Sequence, residues 1–432
     1  MIMAFRKFSL LCLVVFLSLV VSVIQCNAIR HDRSYSEEGE EGENQFIFKR
    51  ENWKIIDAEA GHIRVAPSFR ENARSAPQLH SFEVNSFEMD PNSLMLPRYI
   101  TASWYMYAYE GKGRIGWVHN QKSIEQDIEA GQVYYVPKGA PFYVINTDKN
   151  QSLHLINLMH NENPGSPDRH HESYYVGGGQ DPPTVFSGFR RETLAAGFGI
   201  GIREVEKVLS KQVRGSIVSL NKEQTNYQFL PWPWSSKKHE GSEEEEKPFN
   251  LQKKKLVFSN DHGDYIKADG ESFRPLERLD MAMGLTTIKE ESMLALHWSS
   301  RTTAVSMILK GRGRVEIVTP GRSESKREVE SYKRVEAELT AGDLWVVPAG
   351  LPNAEINPYS DQPLVILTFH INNEDNEFYY LTGQHSVASL IKDEVMAISM
   401  NEKQQALEKV IDAQKDEMFL RGPKEDEGWS IV

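Results

Sequence analysis

Ala130-Gly131-Gln132-Val133-Tyr134-Tyr135-Val136-Pro137-Lys138-Gly139 recurs as Ala341-Gly342-Asp343-Leu344-Trp345-Val346-Val347-Pro348-Ala349-Gly350. Asn146 and Asn357 continue the same register, 211 residues apart. Upstream, Glu110-Gly111-Lys112-Gly113-Arg114-Ile115 is echoed 200 residues later by Lys310-Gly311-Arg312-Gly313-Arg314-Val315. Downstream, Tyr174-Tyr175-Val176 is answered by Tyr379-Tyr380-Leu381. Self-similarity of this kind marks one structural unit used twice. The unequal offsets put a longer hairpin in the second copy, around Thr319–Glu336.

Short strands surround these echoes. Trp104–Tyr109, Val133–Val136, Phe142–Ile145 and Leu153–Met159 are aromatic or β-branched runs bounded by Gly, Pro, Asn or Asp. Ala304–Leu309, Leu344–Val347, Ala354–Ile356 and Leu364–Phe369 are their counterparts. Many short strands with glycine turns predict a sandwich or barrel. Tyr105, Tyr107 and Tyr109 alternate with Trp104, Met106 and Ala108, which predicts a strand packed on both faces; a sugar-stacking surface is the other reading. A helical stretch follows each copy. Val205, Val208, Leu209 and Gln212 recur near helical spacing in Arg203–Gln212, as do Leu407, Val410 and Ile411 in Glu402–Asp416. Gly197-Phe198-Gly199-Ile200-Gly201 precedes the first stretch and predicts a bend or break, because glycine costs about 1 kcal/mol against alanine inside a helix.

The spacing Gly-x5-Pro-x-Gly-x2-His-x3-Asn belongs to the cupin superfamily. This chain has it twice with the histidine replaced: Gly131, Pro137, Gly139, Asn146 and Gly342, Pro348, Gly350, Asn357. A longer pattern resembles the vicilin-type seed storage globulins. It includes Tyr174-Tyr175-Val176-Gly177-Gly178-Gly179, the run Phe186–Leu194, Pro248-Phe249-Asn250-Leu251, and Phe369-His370-Ile371-Asn372-Asn373, where a glycine is usual in place of His370. The resemblance runs from about Phe46 to Phe419. It implies a mainly β protein of two tandem cupin jelly-roll β-barrels, each followed by a short helical extension. It also implies a homotrimer assembled through those extensions and a nutrient reserve held in the protein storage vacuole.

Metal-binding cupins present three His and one Glu, ligand types that suit a divalent transition metal. In the second copy the corresponding positions hold His297, Ser299, Ala304 and Asn353, so His297 reads as a relic metal-ligand position. In the first copy Arg98, Tyr99, Trp104 and Phe142 stand at or near them. Some vicilins carry copper on a Cys-x-His pair; Ala295 stands here where the cysteine would be. The expectation is no metal, no cofactor and no catalytic residue. Gly111-Lys112-Gly113-Arg114-Ile115-Gly116 fits Gly-x-Gly-x-x-Gly, but strands on both sides make it a hairpin turn, since a dinucleotide site needs a following helix. His170-His171 lies in a polar loop, with metal binding the minority reading. Asn150-Gln151-Ser152 is a candidate glycosylation sequon in a turn between strands.

The remainder bounds the protein. Arg6 and Lys7 precede an apolar run, Phe8–Ile24, with Cys26 and Ala28 spaced as a signal-peptidase site; a retained membrane anchor is the competing reading. Cleavage there removes both cysteines, leaving no disulfide and no thiol chemistry. A formal charge of −12 over 432 residues, with no basic stripe, argues against nucleic acid and against an anionic membrane surface as partners. Two acidic stretches, Ser34–Glu43 and Ser235–Lys247, lack the apolar residues to fold. The expected organisation is a signal peptide (1–28), an acidic disordered segment (29–45), an N-terminal barrel with its extension (46–234), an acidic linker (235–247), a C-terminal barrel with its extension (248–420) and a polar tail (421–432). The expected function is a non-catalytic reserve protein in the secretory pathway, held in storage vacuoles or alternatively outside the cell. A cupin binding a small sugar such as sucrose is the alternative function, and a cupin metalloenzyme is a third.

Overall fold

The computed structural model describes residues 45–73, 75–161, 171–220, 247–321, 331–411 and 413–423. The leader, the run Ser34–Glu43, linker residues 235–246, part of the second hairpin (322–330), His170 and tail residues 424–432 lie outside the described residues.

Two facing antiparallel sheets form each copy. In the first copy, Gln132–Val136, Ser103–Glu110, Leu153–His160, Phe82–Met89, Gly61–Val65 and Lys54–Ala58 pair in that order. Facing them, Ser173–Tyr175, Ser93–Ile100, Phe142–Asn146, Lys112–His119 and Lys122–Glu129 pair in order, with Ile217–Ser219 added beside Ser93–Ile100. In the second copy one sheet runs Leu344–Val347, Thr303–Lys310, Leu364–Ile371, Met281–Ile288, Gly263–Ala268 and Phe258–Asn260. The other runs Ser331–Thr340, Arg312–Gly321, Asn353–Asn357, Ser292–Ser299 and Phe378–Tyr380. The two sheets of a copy stay separate in hydrogen bonding, so each barrel is a two-sheet jelly roll and not a closed ring of strands. Each strand expected from the repeat is present, most of them a residue or two longer. Gly111 and Gly311 turn the equivalent hairpins at φ +86° and +87°, where a β-carbon would run into backbone carbonyls across the sheet.

The repeated asparagines act as staples. Asn146 Nδ2 donates to the carbonyls of Met89, Asp90 and Gln151 at 2.8–3.1 Å. Asn357 Nδ2 does the same to Ile288, Lys289 and Gln362 at 3.0–3.3 Å. Both side chains are fully buried, so each amide satisfies turn carbonyls from inside the fold.

The copies complete each other's sheets. Ile47–Phe48, at the start of the first, pairs with Leu344 and Trp345 of the second. Phe249–Asn250, at the start of the second, pairs with Gln132 and Val133 of the first. One apolar layer joins the two inner sheets, with Tyr105 and Tyr107 from one side and Met283, Val305 and Phe369 from the other. Tyr105 donates its hydroxyl to the Pro275 carbonyl at 2.8 Å across this layer. The tyrosine alternation is therefore a strand buried on both faces, because Trp104, Met106 and Ala108 belong to the first barrel's interior cluster. Edge strands Lys122–Glu129 and Ser331–Thr340 are charged and mostly exposed, which discourages pairing with further chains.

Each barrel is followed by helices. Arg191–Phe198 ends where Gly199 takes φ +67°, and Ile202–Leu209 starts afresh with the Gly201 N–H donating to Glu204 Oε2 at 3.1 Å. The glycine-rich stretch thus separates two helices. In the second copy Asn401, at φ +52°, ends Asp393–Met400 before Gln404–Ile411 begins. Both second helices are shorter than expected: Gln212 lies beyond the first, and residues 413–416 lie beyond the second. The stripes are only partly covered. Val205 and Leu407 are buried, while Val208 and Val410 are 66% and 73% exposed. No helix among the described residues is long and apolar enough to cross a membrane.

Candidate functional site

Register makes the two barrel interiors comparable position by position. Phe142 opposes Arg98 as Asn353 opposes His297, so Arg98 takes the place of the relic position. Met159 opposes Trp104 as His370 opposes Ala304. Val144 opposes Ile115 as Glu355 opposes Val315. The first barrel is therefore filled by Trp104, Met159 and Val144 where the second has Ala304, His370 and Glu355. Apolar side chains in one are small or polar groups in the other.

One expected position moves. Ser173 opposes Ile100 as Phe378 opposes Ser299, so the counterpart of Ser299 is Ile100 and not Tyr99. Strand alternation turns Tyr99 to the opposite face, where it stacks on Tyr174 at 4.9 Å. Trp298 stacks on Tyr379 in the same way at 5.1 Å.

In the first barrel Arg98 is 6% exposed and has no carboxylate partner among the described residues. Its Cζ lies 5.3 Å from the Phe87 and Trp104 ring centres, 5.7 Å from Tyr175 and 5.8 Å from Phe142. Nη1 donates to the Tyr175 hydroxyl at 3.2 Å and Nη2 contacts Met95 Sδ at 3.4 Å. Burial lowers the guanidinium's pKa, against the opposing pull of Tyr175. Aromatic faces replace water as the cation's environment. A metal cation there would meet like charge.

In the second barrel the same exchange leaves a cavity of about 60 Å3. His297, Ser299, Ala304 and Asn353, the four positions matched to the cupin ligand pattern, all line it, joined by Glu355 and His370. His297 Nδ1 donates to the Ala295 carbonyl at 2.9 Å, which leaves Nε2 as the lone-pair nitrogen. Burial lowers the imidazole's pKa and favours its neutral form. Asn353 Nδ2 donates to the His297 carbonyl at 3.1 Å. His370 Nε2 lies 3.2 Å from the Tyr265 hydroxyl, and its buried Nδ1 has no partner among the described residues. Burial, aided by Lys267 and His297, pushes His370 down to about 3. Glu355, 8% exposed and without a side-chain partner among the described residues, is pushed up to about 7 by burial. Gly284 makes room for the His370–Tyr265 pair: a β-carbon there would stand 2.9 Å from His370 Nε2.

Among the described residues no three His, Cys, Asp or Glu are grouped to hold a metal ion. His297 offers one lone pair, His370 is engaged with Tyr265, and Ser299 and Ala304 supply no imidazole or carboxylate. These residues do not fit the metal that the cupin pattern implies. Away from the barrel interiors, His171 Nδ1 lies 3.2 Å from a Glu83 carboxylate oxygen, and Asn150 is exposed in its turn. No motif marks Glu355 or the inward direction of His370. Alternation held the signal for the first: if Asn353 faces inward, so does Glu355 two residues on.

The family model described as Cupin matches residues 54–170 and 249–406. Vicilin Cor a 11.0101 of Corylus avellana is 27% identical over 404 residues, covering 92% of this chain and 87% of its own length. The sucrose-binding protein of Glycine max is 26% identical over 376 residues, covering 83% of this chain and 70% of its own length. The solved vicilin from Capsicum annuum superposes with a TM-score of 0.81 at 25% identity, over 88% of this chain and 100% of that one.

Proposed function

The chain belongs to the cupin family, and on that footing we propose that it is a vicilin-like seed storage protein, a nutrient reservoir without catalytic activity. The likeness to vicilins spans both halves. The observation that carries the non-catalytic part is the fate of the barrel interiors. One holds Arg98, a cation without a carboxylate among the described residues, and the other a single relic imidazole, His297, where metal-binding cupins place their ligands. The experiment that tests the reading is protein abundance through seed filling and germination. A reserve accumulates in the filling seed and disappears on germination; a constant trace level in all tissues would refute it.

The resemblance to vicilins implies a homotrimer, and the helical extensions support it. Phe198 and Val208 on the first, and Ile398 and Val410 on the second, are 52% to 81% exposed. Apolar residues gathered on a surface mark docking faces, and two different faces closing on each other give a ring. Light scattering at micromolar concentration should give three chains per particle. One chain per particle, with both extensions intact, would refute the assembly. Delivery through the secretory pathway to the storage vacuole, and a glycan on exposed Asn150, complete the reading; immunogold labelling and peptide mass before and after deglycosylation test them.

The sucrose-binding alternative gains nothing from the second barrel's interior. About 60 Å3 is the share of about two waters at about 30 Å3 each, and a disaccharide is many times larger.

A further inference from the structure

We propose that a recess outside the second barrel's interior is a binding site for a small arylalkylammonium, an aromatic ring on a short arm that ends in a protonated amine. The recess opens at the seam between the two sheets of the second copy. There the edge strand Phe258–Asn260 meets the segment after Phe378–Tyr380 and the residues just before Phe419–Arg421. Tyr380 and Met418 stand between it and the cavity around His297. Val257, 60% exposed, lies at its mouth.

The first copy closes the same seam with backbone. Ile217 opposes Met95 as Phe419 opposes Leu294, so Gly215 and Ser216 stand where the second copy has Glu417 and Met418. Ala58 opposes Gly61 as Asn260 opposes Gly263. Gly215 sits so near Ala58 that a β-carbon on it would come 3.1 Å from Ala58 Cα, and the Glu59 N–H donates to the Arg214 carbonyl at 3.2 Å. In the second copy a side chain bridges instead: Asn260 Nδ2 donates to the Glu417 carbonyl at 3.1 Å. The space beside this bridge is the recess, about 280 Å3.

Its walls define the occupant. Phe258, Tyr380, Val257 and Met418 make it mainly apolar, with few polar groups, as small-molecule sites are. About 280 Å3 is the share of about nine waters at about 30 Å3 each, which suits a benzene ring with a two-carbon arm and a nitrogen. Among the described residues that line it, Glu417 is the one carboxylate and there is no Lys or Arg. His385 Nε2 donates to Glu417 Oε1 at 2.7 Å, and Glu417 Oε2 has no partner among the described residues. Aromatic faces beside a carboxylate attract a cation, and the second oxygen gives an ammonium a charge-assisted hydrogen bond. An anion of the same shape would meet Glu417 instead.

Three probes of one shape separate these contributions: 2-phenylethylammonium, uncharged 2-phenylethanol and anionic phenylacetate, each titrated by ligand-observed NMR against the intact protein at neutral pH. The ammonium should bind, the alcohol about tenfold more weakly, and phenylacetate not at all. Glu417→Gln keeps an acceptor for His385 and should weaken the ammonium about tenfold while leaving the alcohol unchanged. Val257→Phe, at an exposed position, should weaken both by narrowing the mouth. No binding of the ammonium overturns the proposal, and a neighbouring subunit seated over the recess would give that result. Equal binding of ammonium and phenylacetate, or of the ammonium to the natural protein and Glu417→Gln, overturns it too. So does binding that Val257→Phe leaves untouched, which would place the probe elsewhere. The reserve role stands separately on protein abundance, which none of these outcomes moves.

Discussion

Replacing Glu355 by Gln should stabilise the protein at neutral pH and do nothing at pH 4.5. Glu355 ordinarily titrates at 4.5 and is pushed up to about 7 in the fold. Its stabilising contribution is therefore complete below 4.5 and is lost as pH rises to 7, because the unfolded chain ionises first. The interval is about 2.5 pH units at 1.36 kcal/mol each, or about 3 kcal/mol. Glutamine stays neutral and nearly isosteric, so the variant does not suffer this loss. His370 runs the other way. It ordinarily titrates at 6.5 and is pushed down to about 3, so its contribution is present above 6.5 and is lost as pH falls. Between pH 4.5 and 6.5 the two slopes oppose each other at about 1.4 kcal/mol per pH unit and nearly cancel in the natural protein. Glu355→Gln uncovers the histidine slope. Urea unfolding followed by tryptophan fluorescence from about pH 4.5 to 7.5 should show the variant's advantage growing from near zero to about 3 kcal/mol. A difference that is constant with pH, or a variant that loses stability as pH rises, would refute a buried, unpaired Glu355.

Three further sets of substitutions test the interiors and the turns. Arg98→Met should hold stability within about 1 kcal/mol of the natural protein, since it removes a buried charge without a carboxylate while keeping the packing; a loss above about 3 kcal/mol by urea unfolding would reveal a buried ion pair at Arg98. Gly284→Ala should cost about 1–3 kcal/mol through the clash with His370 and Tyr265, and adding His370→Ala should recover part of it; the double-mutant cycle measures this. Asn146→Ala and Asn357→Ala should each cost about 1–3 kcal/mol and by similar amounts, because each leaves three carbonyls without their donor. Denaturation midpoints that move for one asparagine alone would break the equivalence of the two turns.

The jelly-roll class came from the resemblance to cupins, while spacing along the chain was enough to establish the repeated unit and most strand positions. Those properties are short-range: glycines at Gly111 and Gly311 that a tight turn needs, alternation along Ser103–Glu110, and Asn146 repeated as Asn357 in one register. The same spacing picked out His297, Ser299, Ala304 and Asn353 as one set, and the fold brings all four to one cavity. What else faces that cavity depended on how the strands pair. Glu355 and His370 come from different strands, and neither residue announces its direction without the register that pairs Asn353 with His297 and Ala304 with His370. The helix ends at Leu209 and Ile411 also waited on the fold, because a periodic stripe continues past the point where the backbone stops a helix. The exchange of Ile47–Phe48 and Phe249–Asn250 between the two copies left no trace in the residues themselves. Such pairing joins positions far apart in the chain through backbone hydrogen bonds, and every residue but proline carries the same backbone donor and acceptor.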